Sequence, residues 1–195
     1  MKTIHRIGAL VLLIFVFAHI ANHVAGFFGI EAHQAFAGAI RKIYRNPIGE
    51  PFLIALLGIQ LTTGASLALA SAKRERPRSI ASAIELIAAG LFAAFILIHL
   101  TAVAMSRYYF GVQTDFFWIA DLFRPGPMRI YIIAFHYVGI VAVMTHAGFG
   151  VAYFCESIGA PKLGRRIRTL IVTIGIIAGA LSVAAYGGIF FETGI

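Results

Sequence analysis

Five stretches of this sequence, at about residues 7–28, 52–72, 80–105, 129–154 and 169–191, are apolar over the twenty or so residues that an α-helix needs to cross a bilayer. A chain so patterned folds as an all-α integral membrane bundle, because in lipid each backbone N–H and C=O must be satisfied within its own helix. A closed β-barrel would also satisfy them, but its signature of alternating ten-residue segments is absent from the sequence. With 60% hydrophobic and 12% charged residues among 195, the composition lies outside that of soluble domains, and one transmembrane domain, 1–195, accounts for all of it. The formal charge of +8 would suggest nucleic acid in a soluble protein. Here the Lys and Arg residues flank apolar runs, where they set topology and meet lipid headgroups, so membrane lipid is the expected partner and nucleic acid is not. The one cysteine, Cys155, allows neither an internal disulfide nor a multi-thiolate metal site.

The first run imitates a signal peptide at Met1-Lys2, but it continues for about 22 residues without a small-residue exit and reads as the first span. Glu31 to Arg45 follows, with Ala32, Phe36, Ala39, Ile40 and Ile43 at helical spacing and charge on the other side. That pattern predicts an amphipathic helix lying at the interface. Asn46-Pro47 ends it, and Glu50-Pro51 opens the second span. The long connection from Ser106 to Met128, with Tyr108, Tyr109 and Trp118, suits an interfacial aromatic belt. Glu156 to Arg168 reads as a basic turn. Span five has Tyr186 as its main polar feature, and packing and anchoring are its expected roles. Ten Lys and Arg (Lys2, Arg6, Lys73, Arg74, Arg76, Arg78, Lys162, Arg165, Arg166 and Arg168) flank one side of the membrane, and six flank the other. The richer side is normally cytoplasmic, which places the N-terminus inside.

Polar residues within the spans carry the functional signal. His19 and His23 are four apart and share one helix face. Side chains of this kind are costly in lipid and face the bundle interior. His23 lies eight residues before Glu31, His99 eight before Arg107, and His136 seven after Arg129. At 1.5 Å per residue, three helices thus bring imidazoles into one layer roughly 10–12 Å below the outer edge. His19 is expected one turn deeper, and His146 in the inner half without a histidine partner. Such a layer suits axial ligation of haem, with a second-shell acceptor for each remaining N–H. Asn22, Thr101 and Thr145 are candidates for that role, and Arg41, Arg45, Arg107 and Arg129 are placed to meet haem propionates. The same histidines would suit a non-haem metal in a membrane metalloenzyme, or would simply pack in a non-catalytic assembly protein. A single histidine in a span is as often a packing residue as a ligand, and the weight lies on four converging. His5 and His33 read as solvated end residues. Ser82, Glu85 and Tyr153 are candidate quinone or proton groups near the inner face.

The five-span layout with an inside N-terminus, the histidines on spans one and four, and the His19-x-x-Asn22-His23 motif resemble the cytochrome b membrane anchors of succinate dehydrogenase and fumarate reductase. The resemblance implies haem b, electron transfer to or from quinone, and association with flavoprotein and iron-sulfur subunits. It also implies a bacterial inner (cytoplasmic) membrane and a role as an electron-transfer subunit of an oxidoreductase complex rather than an enzyme alone. In the family's single-chain dihaem form, histidines of the first and fourth helices hold the haem nearer the outer face. His19 or His23 with His136 would occupy those places. The second haem of that form uses histidines on the second and fifth helices, where this chain has Gln60 and Tyr186, and His99 has no counterpart. One haem, or a diverged relative with a different electron path, is therefore expected here, with a second haem left open.

Overall fold

A computed structural model describes residues 2–72 and 79–189. Seven α-helices follow one another: α1 (Lys2–Ala25), α2 (Ile30–Tyr44), α3 (Gly49–Ala72), α4 (Ile80–Ala104), α5 (Phe116–Leu122), α6 (Arg129–Ser157) and α7 (Pro161–Tyr186). A short 3₁₀ turn, Gly26–Phe28, joins α1 to α2, and a π-helical segment, Met105–Tyr109, extends α4. Five segments, Thr3–Phe28, Gly49–Ser71, Ile80–Tyr109, Arg129–Ser157 and Pro161–Tyr186, are long and apolar enough to span a membrane. The expected all-α multi-pass bundle is what the chain forms, and no strand occurs among the described residues. Its exposed apolar surface is the surface that meets lipid.

The core is the antiparallel pair α6 and α7. Small residues at helical spacing on α7, Gly175, Ala178, Gly179, Ser182 and Ala185, form its buried stripe. They let the two backbones approach, as packing inside lipid requires. A Cβ added at Gly175 would lie 2.5 Å from the Met144 Cβ, and one at Gly179 would lie 2.9 Å from the Tyr137 ring. Ile20 of α1 joins Ile140, Val143, Met144, Ile171 and Ala178 in the central apolar cluster. The helix α4 packs along α6, and α3 packs along α1. No residue of α3 from 49 to 71 is buried, so this helix is the most lipid-facing of the five.

Two expectations change. The segment 156–168 is not a turn throughout: Pro161 begins α7, and only Ile158 to Ala160 connect the helices. Pro fits the first helical position, because its missing N–H has no partner there in any case. The Arg168 guanidinium then lies over the Phe149 ring at 4.7 Å. The aromatic connection contains a helix, α5, whose N-cap Asp115 accepts from the Trp118 N–H at 3.1 Å. Phe116, Ala120 and Phe123 turn inward against Tyr186 rather than outward to the interface. The expected amphipathic helix forms as α2, with Phe36 and Ile43 exposed and His33 and Ala37 buried. The first basic turn, Lys73 to Arg78, and the expected end of span five at 190–191 lie outside the described residues.

Gly175→Val tests the α6–α7 contact. Overpacking of this kind costs about 1–3 kcal/mol, so the detergent-solubilised variant is expected to melt below the parent. An unchanged melting temperature would contradict the close approach of the two backbones.

Candidate functional site: a histidine cluster inside the bundle

The four intramembrane histidines predicted to converge do so. His19 and His23 sit one turn apart on α1, with their Nε2 atoms 3.3 Å from each other. The His23 ring lies 5.1 Å from that of His136 on α6, and the His19 ring 6.0 Å from that of His99 on α4. The imidazoles thus run in the order His99, His19, His23, His136 across three helices. His99 neighbours His19 in this row.

Burial in lipid makes an unpaired imidazole nitrogen costly, so the partners of these rings matter. They come from α7. Tyr186 Oη shares a 2.7 Å hydrogen bond with His23 Nδ1, and Ser182 Oγ shares one of 2.7 Å with His136 Nε2. Both α7 side chains are fully buried. Nδ1 of His23 is thus engaged by Tyr186, while its Nε2 faces His19 inside the cluster. Phe15 stacks on His19 at 5.6 Å and Phe95 on His99 at 5.4 Å, which walls the site with apolar rings.

The sequence reading missed the α7 groups, because it judged span five by its lack of histidine and charge. The signal was there in the small-residue stripe, whose spacing carries Ser182 and Tyr186 onto the same buried face. It also missed His33. Rather than being a solvated end residue, His33 is fully buried, and Asn22 Nδ2 donates to its Nε2 at 3.0 Å. Its ring packs on Phe116 at 5.4 Å and Tyr186 at 5.9 Å. His5 also has a partner, with its Nδ1 2.9 Å from Thr63 Oγ1.

The other candidates divide. Asn22 lies in the cluster's outer shell, paired to His33; Thr145 is buried, and Thr101 is exposed. Arg41 Nη2 donates to the Thr114 carbonyl at 2.6 Å, and Arg107 makes a two-pronged pair with Glu50. Arg129 Nε is buried without a partner. Arg45 has no carboxylate partner among the described residues. His146 stands apart from the cluster, stacked on Phe92 at 6.1 Å with an unpaired Nδ1. At the opposite end, Tyr153 donates to Glu85 at 2.8 Å.

The donor set fits a haem. The cluster offers more imidazoles than the two axial ligands such a group needs, from facing helices and behind apolar walls. Among the described residues, no three His, Cys, Asp or Glu side chains are grouped as a closed metal site. No family model, characterised protein or solved structure matches the chain, so the site is read on its own geometry.

His33 generates a pH prediction. Its burial, and then the nearby Arg41 charge, lower its pKa from 6.5 to about 4, against a smaller opposing effect of Asp115. Between these values the unfolded chain binds the proton and the folded one does not, so stability rises with pH across this window. The melting temperature is expected to fall as pH drops from 6.5 toward 4, and His33→Gln is expected to flatten that slope. An unaltered slope in the variant would show that His33 is not buried in its neutral form.

Proposed function

We propose that the protein is a haem b-binding membrane anchor that passes electrons to or from quinone, similar to the cytochrome b subunits of succinate dehydrogenase and fumarate reductase. The observation that carries this reading is the convergence of His19, His23, His99 and His136 from three helices, with Tyr186 and Ser182 fixing two of them from a fourth. A haem bound there would supply one-electron chemistry. The protein's part is to hold, orient and insulate.

In this reading the four histidines are the iron-ligand candidates, and His23 is the best prepared of them. In this reading its Nδ1 donates to Tyr186, which leaves Nε2 as the ligating nitrogen and raises its basicity. Phe15 and Phe95 hold the rings of His19 and His99 in place and exclude water. Arg41 and Arg129, neither with a carboxylate partner among the described residues, are the cations for the propionates, while Arg45, likewise unpaired, lines a separate cleft with Glu50 and Arg107. Tyr186 belongs to this cluster, so the fifth helix serves the same site rather than a second one. That supports one haem per chain. Flavoprotein and iron-sulfur partners, and a bacterial inner membrane with the N-terminus on the cytoplasmic side, belong to the same proposal, and the positive-inside count supports the orientation.

The test is a reduced-minus-oxidised visible spectrum of the detergent-purified protein with pyridine haemochrome quantitation. A low-spin b-type spectrum at one haem per chain is expected. Tyr186→Phe is expected to keep that haem and raise its midpoint potential, because the ligand loses the group that makes it electron-rich. Protein expressed with ample haem supply that carries none would contradict the proposal, and metal analysis would then separate a non-haem site from a packing role.

A further inference from the structure

Where the end of α2, the start of α3 and the π-helical end of α4 meet, the surface folds into a cleft of about 400 Å³ lined by Arg45, Asn46, Glu50, Ile54, Arg107 and Tyr108, among others. Its charge is built with care. Arg107 donates to both Glu50 oxygens, the second at 3.0 Å, and Tyr108 Oη donates to Glu50 Oε1 at 2.8 Å. Only 13% of the Arg107 side chain and 18% of the Glu50 side chain are exposed. Glu50 is thereby consumed by donors already present. Arg107 Nε remains buried with no partner and Arg45 has no carboxylate partner among the described residues, so their lining of the cleft carries one positive charge in excess of Glu50. Its burial, together with the neighbouring Arg107 and Arg41, pushes the Arg45 guanidinium below its ordinary range, against smaller opposing effects of Tyr44 and Glu50.

The lower wall is different. Pro51 and Ile54 line it, and the surface beside it exposes Ile48, Phe52, Tyr108, Tyr109 and Phe110. A cationic mouth above an apolar wall, at the end of two membrane spans and beside exposed aromatics, matches an amphiphile rather than a free ion. Guanidinium groups match phosphate oxygens in geometry, and the phosphate present at this level of a bilayer is that of the lipid.

We propose that this cleft binds the phosphodiester of a membrane lipid, with Arg45 ligating the phosphate, Glu50 holding Arg107 in place beside it, and Pro51 and Ile54 receiving an acyl chain. The site is independent of the haem reading, because lipid is detected directly by mass. The experiment is native mass spectrometry of the full chain in detergent, titrated in parallel with phosphatidylglycerol, with a diacylglycerol of the same chains, and with inorganic phosphate. Saturable phosphatidylglycerol binding is expected, with binding of the other two at least tenfold weaker. Arg45→Gln, which keeps the backbone cap at the end of α2, is expected to weaken phosphatidylglycerol binding at least tenfold with an unchanged melting temperature. Equal binding of inorganic phosphate would overturn the lipid assignment. Equal binding of diacylglycerol would overturn the role of the phosphate. Unchanged lipid binding in Arg45→Gln would overturn the site, and loss of haem rather than lipid in that variant would return Arg45 to a propionate.

Discussion

An imidazole has two ring nitrogens, and inside a bundle surrounded by lipid neither can turn to water. The hydrogen bond between Tyr186 and His23 answers that constraint, and much of the bundle follows from it. For the hydroxyl to reach α1, α7 must lie close to the bundle centre, and the run of Gly and Ala on its inner face lets it do so. The same face carries Ser182 to His136 one turn away. An unsatisfied buried polar group costs about 1–3 kcal/mol. Two paired imidazoles therefore contribute about as much to fixing the register of α1, α6 and α7 as a well-packed apolar side chain would. Packing and polar satisfaction here select the same arrangement.

The end of the bundle that carries α2 and α5 closes over this cluster. Phe116 and Phe123 of α5 pack on Tyr186, and His33 of α2 reaches inward to Asn22. Gly29, with φ of 115°, makes the sharp entry into α2 that a residue with a Cβ would resist. These connections act as a lid of apolar rings and hydrogen bonds, and they keep the histidines in a medium of low dielectric. That environment suits an electron carrier, whose potential depends on burial and on what its ligands are bonded to.

Much of this was legible in the sequence. Apolar run length gave five spans, and polar residues inside those runs named His19, His23, His99 and His136, because lipid makes such residues rare enough to be informative. What periodicity cannot supply is rotation. The apolar stripe of α2 faces outward, as an interfacial helix requires, and its spacing does not reveal that His33 takes the inner face. The α7 hydroxyls escaped notice for a related reason. Serine and tyrosine are ordinary in membrane helices, and only knowledge of which face is buried distinguishes a partner of histidine from a packing residue. The helix α5 was hidden because seven residues are too few for a hydrophobic period to stand out, although Asp115 three residues before Trp118 fits an N-cap.

The most direct test of the central claim, that the cluster exists to hold a cofactor between helices, is haem content per chain in His23→Ala compared with His146→Ala, purified side by side. His23 sits between His19 and His136 and is hydrogen-bonded to Tyr186, whereas His146 lies apart against Phe92. The expected result is loss of haem in His23→Ala and retention near one per chain in His146→Ala. Equal retention in both, or loss confined to His146→Ala, would contradict the assignment of the site.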